Sequence, residues 1–532
     1  MRGNHAERGL FGNGRLIAVV AMAVAATAAC SAAAHEEDQP KKAPASTSSS
    51  SSPSSSPSSA PSGIAWGDCP PQAEGAPARN PLQTCATIQV PLNYQDPGGK
   101  TISMEVSRIA SDSAERHGVL FLNPGGPGDS GLDMPSTMAA DLPKSVLAQY
   151  DLIGFDPRGV GLSTPQSCGL SDPSAPFPYP APNGSIDQNI ANGKALAQQC
   201  ASKAPELKYF NTANTARDLD RLRADLGEDK ISYWGQSYGT YLGTVFSSLF
   251  PARTDRMVLE GVVDGTKVWQ QESALWGQGM DDRFPDAAKV AVQQKLGLGK
   301  TVAEVEKSYI DLTTRLDAKP AKVPGAPVSL TGTMIRNLTY GMLMRNENLP
   351  VVTQVWKAAD DLSKGSLTKS DTKVMAQVLA QTAGAPGVPQ DNTATMFLSI
   401  ICGDVASSTD LAKYRTDVAA DRKAHPLSGG MPVNVWPCAF WGAPLEQPVA
   451  VSNDASQGGR NILLLQNRRD NATPWEGAVG LRQALGDRAS LVGVNNGGHY
   501  VYGTGSDCAD QSADNFLTGG ALPDQDVSCT DG

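Results

Sequence analysis

Ser237 sits in Gly235-Gln236-Ser237-Tyr238-Gly239, with a glycine two residues away on either side. Ile231–Trp234 before it is apolar and β-branched, and Thr240–Phe250 after it can form a helix. A turn this tight between strand and helix needs small neighbours, and it lifts the hydroxyl above the sheet edge, where it can attack a carbonyl carbon. Tyr238 N–H, at the start of the helix, would then face the oxyanion formed in that attack. The motif occurs once in the chain, and its strand–turn–helix context sets it apart from a glycine-flanked surface serine.

A serine nucleophile needs a base, and the chain has five histidines. His5 and His35 precede any folded segment, His117 approaches an early strand, and His425 lies in a long insertion. Only His499, in Asn496-Gly497-Gly498-His499-Tyr500, follows the last apolar strand, as the Ser…Asp…His chain order of α/β-hydrolases requires. The orienting acid belongs at the end of the preceding strand. Ile462–Gln466 leads into Asn467-Arg468-Arg469-Asp470, so Asp470 is assigned to fix the imidazole tautomer and stabilise its charged form. Asp454, in a polar loop before that strand, and Asp487, in a turn after a helix, are badly placed. A second oxyanion donor is expected from Asn123-Pro124-Gly125-Gly126-Pro127-Gly128, where Gly125 or Gly126 N–H can approach substrate with no side chain in the way. Asp156-Pro157-Arg158-Gly159, one strand later, is expected to form a buried ion pair beneath that loop.

Seven apolar runs must position these groups: Ile102–Ile109, Gly118–Leu122, Tyr150–Phe155, Ile231–Trp234, Met257–Val263, Ile462–Gln466 and Ser490–Val494. Several are continuous rather than alternating, as in strands buried on both faces of a parallel sheet. Helical stretches lie between them. Thr215–Leu226 spaces Leu219, Leu222 and Leu226 at three- and four-residue steps, and Gly227 supplies a stop. The alternation predicts a doubly wound, mostly parallel α/β sheet of the α/β-hydrolase type. Residues 266–456 break the rhythm and read as a large, mainly helical cap inserted between two late strands. The core is then residues 64–265 and 457–532.

With 532 residues, 40% hydrophobic and 18% charged, the chain can bury a sizeable core. A formal net charge of −10 with no basic aromatic patch excludes a nucleic-acid binder. No phosphate-cradling loop or dinucleotide fingerprint is present, so no cofactor is expected.

The N-terminal end speaks to location. Arg2, Arg8 and Arg15 precede an apolar run, Leu16–Ala29, too short for a permanent membrane span and shaped as an export signal over residues 1–29. Thr27-Ala28-Ala29-Cys30 resembles the bacterial lipoprotein signal, which implies a lipid anchor on Cys30 and attachment to a membrane outside the cytoplasm. Residues 30–63 read as a tether, since eleven of the fourteen residues from Ser46 to Ser59 are Ser. Nine cysteines are an odd number, and setting Cys30 aside leaves eight for disulfides in an oxidising compartment. Connectivity stays open from sequence; nearest-neighbour pairing gives Cys69–Cys85, Cys168–Cys200, Cys402–Cys438 and Cys508–Cys529. Their spacings do not resemble zinc sites, so no metal is expected.

Taken together, N-P-G-G-P-G, D-P-R-G-V-G-L-S, G-Q-S-Y-G, D-N-A-T-P and a late G-G-H-Y resemble the exported tripeptidyl aminopeptidases, actinobacterial α/β-hydrolases akin to proline iminopeptidases. The resemblance runs from about residue 65 to the C-terminus. It implies hydrolysis of peptide substrates from a free N-terminus, releasing short peptides. Selecting that terminus needs an anion for the substrate ammonium. Asp404, in a Cys402-Gly403-Asp404 element that looks like the family's C-x-D, and Glu272 are the candidates. An esterase or amidase acting on small acyl compounds uses the same triad and is the alternative; a catalytically inactive envelope binding protein is the third reading.

Overall fold

The computed structural model describes residues 63–171, 177–324, 329–378 and 384–531. The signal, Cys30 and nearly all of the tether lie outside the described residues.

Nine strands form one sheet: β1 (Thr84–Pro91), β2 (Thr101–Ile109), β3 (Gly118–Asn123), β4 (Tyr150–Phe155), β5 (Ile231–Gln236), β6 (Thr254–Glu260), β9 (Ile462–Arg469), β10 (Ala489–Gly497) and β11 (Val527–Cys529). The remaining pair, β7 (Ala321–Lys322) and β8 (Ser329–Leu330), is a separate two-residue hairpin. The sheet order is β1-β2-β4-β3-β5-β6-β9-β10-β11. The β1–β2 and β2–β4 pairs are antiparallel, and every later pair is parallel. This is the α/β-hydrolase fold, a large mostly parallel sheet between helices.

The continuous apolar runs are the central strands, and β4 is buried at every position. Their residues alternate between two cores. Val119 and Phe121 of β3 join Ile462 and Leu464 of β9 on one face, while Leu120, Leu122, Leu463 and Leu465 pack on the other. Besides the short β7–β8 hairpin, two strands of the main sheet escaped the sequence reading. β1 alternates polar and apolar residues because it lies at the edge, and β11 has only three residues. The run expected at Met257–Val263 is a strand only to Glu260, where Gly261, at φ +63°, turns the chain out of the sheet. The helix expected at Thr215–Leu226 starts earlier, at Thr212, because the Asn211 side chain caps it by accepting from Asn214 N–H. Gly227 at φ +75° closes it.

Between β6 and β9 the chain is mostly helical, with long helices at Trp276–Gln293, Val302–Ala318, Gly332–Met342, Leu349–Lys364, Asn392–Gly403 and Leu411–Ala424. Much of this region has an apolar cluster of its own, centred on Phe284 stacked against Trp356 with ring centroids 4.8 Å apart.

The eight cysteines form four disulfides, Cys69–Cys85, Cys168–Cys200, Cys402–Cys438 and Cys508–Cys529. That density marks an extracytoplasmic protein. Among the described residues, no helix is long and apolar enough to cross a membrane.

Candidate active site

Ser237 occupies the turn between β5 and the helix Tyr238–Leu249 with φ 58° and ψ −126°, a conformation costly for a residue with a side chain. The flanking glycines are required by contact. A Cβ on Gly235 would lie 2.3 Å from Gly239 O, and one on Gly239 would lie 2.7 Å from Asn123 O. Ser237 N–H donates to Glu260 C=O at 2.9 Å, which ties the strained turn to the neighbouring strand.

His499 follows β10, and Asp470 follows β9. His499 Nδ1 pairs with Asp470 Oδ2 at 2.9 Å, and both residues are nearly fully buried. Ser237 and His499 line the same cavity. No Oγ–Nε2 hydrogen bond joins them among the described residues, as is common until substrate tightens such a pair.

Burial alone would push the Asp470 carboxyl up. The charge of His499 and hydrogen bonds from His499 and Thr473 outweigh it and hold Asp470 below the usual carboxylate range. Asp470 Oδ1 accepts from the N–H groups of Ala472 and Thr473, while Oδ2 accepts from Gln466 Nε2 and Thr473 Oγ1. The Thr473 hydroxyl is also 3.2 Å from His499 Nδ1. The competing acids are elsewhere: Asp454 caps the short helix Ala455–Gly458, and Asp487 lies in the turn before β10.

The loop after β3 lies against the turn. A Cβ on Gly125 would meet Ser237 Cβ at 2.9 Å and Tyr238 N at 3.1 Å. Gly125 N–H is already donated to Asn123 Oδ1 at 3.1 Å, so of the two glycines Gly126 keeps its N–H for a ligand. The expected Asp156–Arg158 pair does not form. Arg158 instead makes a buried two-pronged bridge to Asp218 at 2.6 and 2.7 Å, while Asp156 accepts from Ser130 Oγ and from Leu132 and Leu162 N–H. Asp156 therefore braces the loop after β3 through Ser130 and Leu132.

Glu260, at the end of β6, is a support the sequence did not suggest. Its carboxylate accepts from Trp234 Nε1 and Gln236 Nε2 on the Ser237 side, and from Val501 and Tyr502 N–H on the His499 side. It thus holds both halves of the site in register. Asn467 Nδ2 bonds Gly498 O and Tyr500 O, and His499 N–H donates to Met344 O of the inserted region. These are ordinary polar residues at strand ends, and only the Asp470-x-x-Thr473 spacing carried a local signal, an aspartate closing a turn on nearby N–H groups.

The cavity has a volume of about 720 Å³, within the range of small-ligand sites. One wall is the sheet edge. The other is aromatic: Phe177 lies within 6.1 Å, centroid to centroid, of Trp276, Tyr340, Phe397 and Trp436. Cys402–Cys438 fastens the helix bearing Phe397 to the turn after Trp436.

The two acids expected to meet an amine are placed differently. Asp404 is outside the cavity lining and is engaged by Thr212 N–H at 2.8 Å, Thr212 Oγ1 at 2.7 Å and Trp269 Nε1 at 3.2 Å. Burial pushes it up to about 6 against those hydrogen bonds. Glu272 lines the cavity but is sealed in its wall, with Oε1 unpartnered and out of reach of solvent. Burial, and then the nearby charges of Asp264 and Asp470, push it up to about 8.

A strained serine at a strand–helix turn, on a mostly parallel sheet with a buried Asp–His pair at its edge, defines the class: a serine hydrolase on the α/β-hydrolase fold. Comparison with known proteins agrees. The family described as "alpha/beta hydrolase fold" matches residues 118–308, and "TAP-like protein" matches 429–529. Tripeptidyl aminopeptidase of Streptomyces coelicolor is 32% identical over 493 residues, covering 88% of this chain and 86% of the relative. Serine protease Hip1 of Mycobacterium tuberculosis is 29% identical over 467 residues, covering 84% and 87%. Carboxylesterase B of the same organism is 29% identical over 471 residues, covering 84% and 86%. The chain belongs to the tripeptidyl aminopeptidase family.

Proposed function

We propose that the protein is a serine exopeptidase that releases short peptides, three residues long, from free N-termini. The observation that carries this reading is the strained Ser237 turn lining one cavity with His499, whose imidazole is paired with the buried Asp470. In the proposed mechanism Ser237 Oγ attacks the scissile carbonyl carbon and its proton passes to His499. Tyr238 and Gly126 N–H hold the oxyanion. His499 then returns the proton to the leaving amine, and water, activated by the same imidazole, cleaves the acyl-enzyme. Asp470 keeps the imidazole oriented and balances its transient charge.

The test uses one decapeptide with a free N-terminus and the same peptide N-acetylated, with products identified by mass. Tripeptide release from the free form alone is expected. Equal cutting of both forms would defeat the exopeptidase reading. Ester hydrolysis is the second reading, favoured by the carboxylesterase relative and by a triad that serves esters equally well. A higher kcat/KM for a small acyl ester than for any tripeptide anilide would select it.

We also propose that Cys30 carries a lipid and that the Ser-rich stretch tethers the enzyme outside the cytoplasmic membrane. The pairing of all other eight cysteines supports this, since it leaves Cys30 as the one cysteine without a disulfide role. Cys30→Ala should move the protein from the membrane fraction into the medium; unchanged membrane attachment would reject the anchor.

A further inference from the structure

Among the described residues, four acids line the cavity: Asp129, Asp133, Asp156 and Glu272. Asp133 is paired with Arg79, Asp156 is hydrogen-bonded within the oxyanion loop, and Glu272 is sealed in the wall. Asp129 has no hydrogen bond or ion pair among the described residues. Asp129 is exposed and lines the cavity, and the protein crowded around it pushes its carboxyl up to about 6. Arg79, the one cation in the described lining, is engaged with Asp133.

The position of Asp129 is built, not incidental. Gly128 before it packs so closely on the helix Asn392–Gly403 that a Cβ would lie 2.6 Å from Thr393 O, and Ser130 after it is tied to Asp156. The loop bends the Asp129 side chain back over Gly126, where a Cβ would stand 3.2 Å from the carboxyl carbon. Adding the Cα–Cβ and N–Cα bonds and one N–H···O contact puts that carboxyl at most about 9 Å from an oxyanion held by Gly126. An extended tripeptide spans at most about 11 Å. The ammonium of a tripeptidyl group can therefore reach Asp129, and so can a lysine side chain nearer the cut.

We propose that Asp129 is a cation subsite whose carboxylate takes a primary ammonium of the substrate and so selects which peptides are cut. This rests on the peptidase reading above and replaces Asp404 and Glu272 as the group that meets the amine. A carboxylate with no protein partner disfavours a neutral substrate group, because that group would cover the charge and displace its water without supplying a counter-charge.

The test compares wild type with Asp129→Asn and Asp129→Glu on three anilides: a neutral tripeptide with a free amine, its N-acetyl form, and the N-acetyl form with one residue replaced by lysine. Asp129→Asn should reduce the kcat/KM ratio of an ammonium-bearing substrate over the blocked neutral one by about tenfold or more, chiefly through KM, and Asp129→Glu should restore part of it. A loss confined to the free-amine substrate identifies the α-ammonium; a loss confined to the lysine substrate identifies the side chain. Equal losses on all three substrates, or none, would overturn the proposal. If Asp129→Asn does not fold, wild type still decides. Its KM for ammonium-bearing substrates should rise as pH falls through about 6 with no such rise for the blocked neutral one, and parallel profiles would overturn the proposal. The same substitutions on ester pairs with and without an ammonium separate the two readings. Asp129-dependent discrimination among esters with no peptide cleavage removes the peptidase and leaves the subsite standing.

Discussion

The two walls of the cavity are made in different ways. The sheet wall carries Ser237, His499 and Gly126 on turns at the ends of parallel strands, with Asp470 behind His499; Ser237, His499 and Asp470 are each fixed by hydrogen bonds to backbone groups. The helical wall carries Phe177, Trp276, Tyr340, Phe397 and Trp436, drawn from distant parts of the chain and held by ring contacts and one disulfide. The first wall is built for charge transfer at fixed positions. The second offers mainly apolar area, and its titratable groups among the described residues are the buried Glu272 and the tyrosines Tyr340 and Tyr414. The lesson is a division of labour: substitutions at Ser237, Asp470 or His499 should lower kcat for every substrate, whereas substitutions on the helical wall, like those at Asp129, should change KM according to substrate.

The largest expected effect is at the nucleophile. Ser237→Ala should lower kcat by on the order of 10⁶ on peptides and esters alike, and single-turnover assays should show no acyl intermediate. Asp470→Asn comes next, with kcat reduced about 10⁴-fold and KM within a few-fold of wild type in steady-state assays. Phe397→Ala should act the other way round. It removes an apolar contact worth about 1–3 kcal/mol, so KM for apolar tripeptides should rise about tenfold or more while kcat is largely kept. If it instead lowered kcat equally for large and small substrates, the division between the walls would be broken.

The smallest effect concerns stability. Glu272 has an ordinary carboxyl value of 4.5 and is raised to about 8 in the fold. Its neutral form suits the buried site, so its contribution is fully present below about 4.5 and is lost as pH rises through about 8. Thermal melts at pH 5 and pH 8.5 should therefore show a larger loss of stability for wild type than for Glu272→Gln.

The same contrast explains what was legible in the sequence. The Ser237 turn, the Asp470 turn and His499 each depend on local residue types, and the order of strands around them follows from continuous apolar runs. Gly125 and Gly126 were equally eligible until the Asn123 side chain was seen to occupy Gly125 N–H. Asp404 illustrates the limit: its partner Thr212 is 192 residues away, and no spacing rule connects them. Arg158 failed similarly, since its neighbour in sequence is Asp156 but its partner in the fold is Asp218. Glu260 and Asn467 are unremarkable on their strands and acquire a role only when β6, β9 and the His499 loop come together. The aromatic wall had no signature because rings from residues 177 to 436 share no period.

Reaction of the purified protein with a fluorophosphonate, followed by peptide mapping, tests the central claim most directly. The account predicts one equivalent of label on Ser237, loss of labelling in Ser237→Ala, and strongly slowed labelling in His499→Ala. Absence of label from Ser237, or label on another residue that persists in Ser237→Ala, would contradict it.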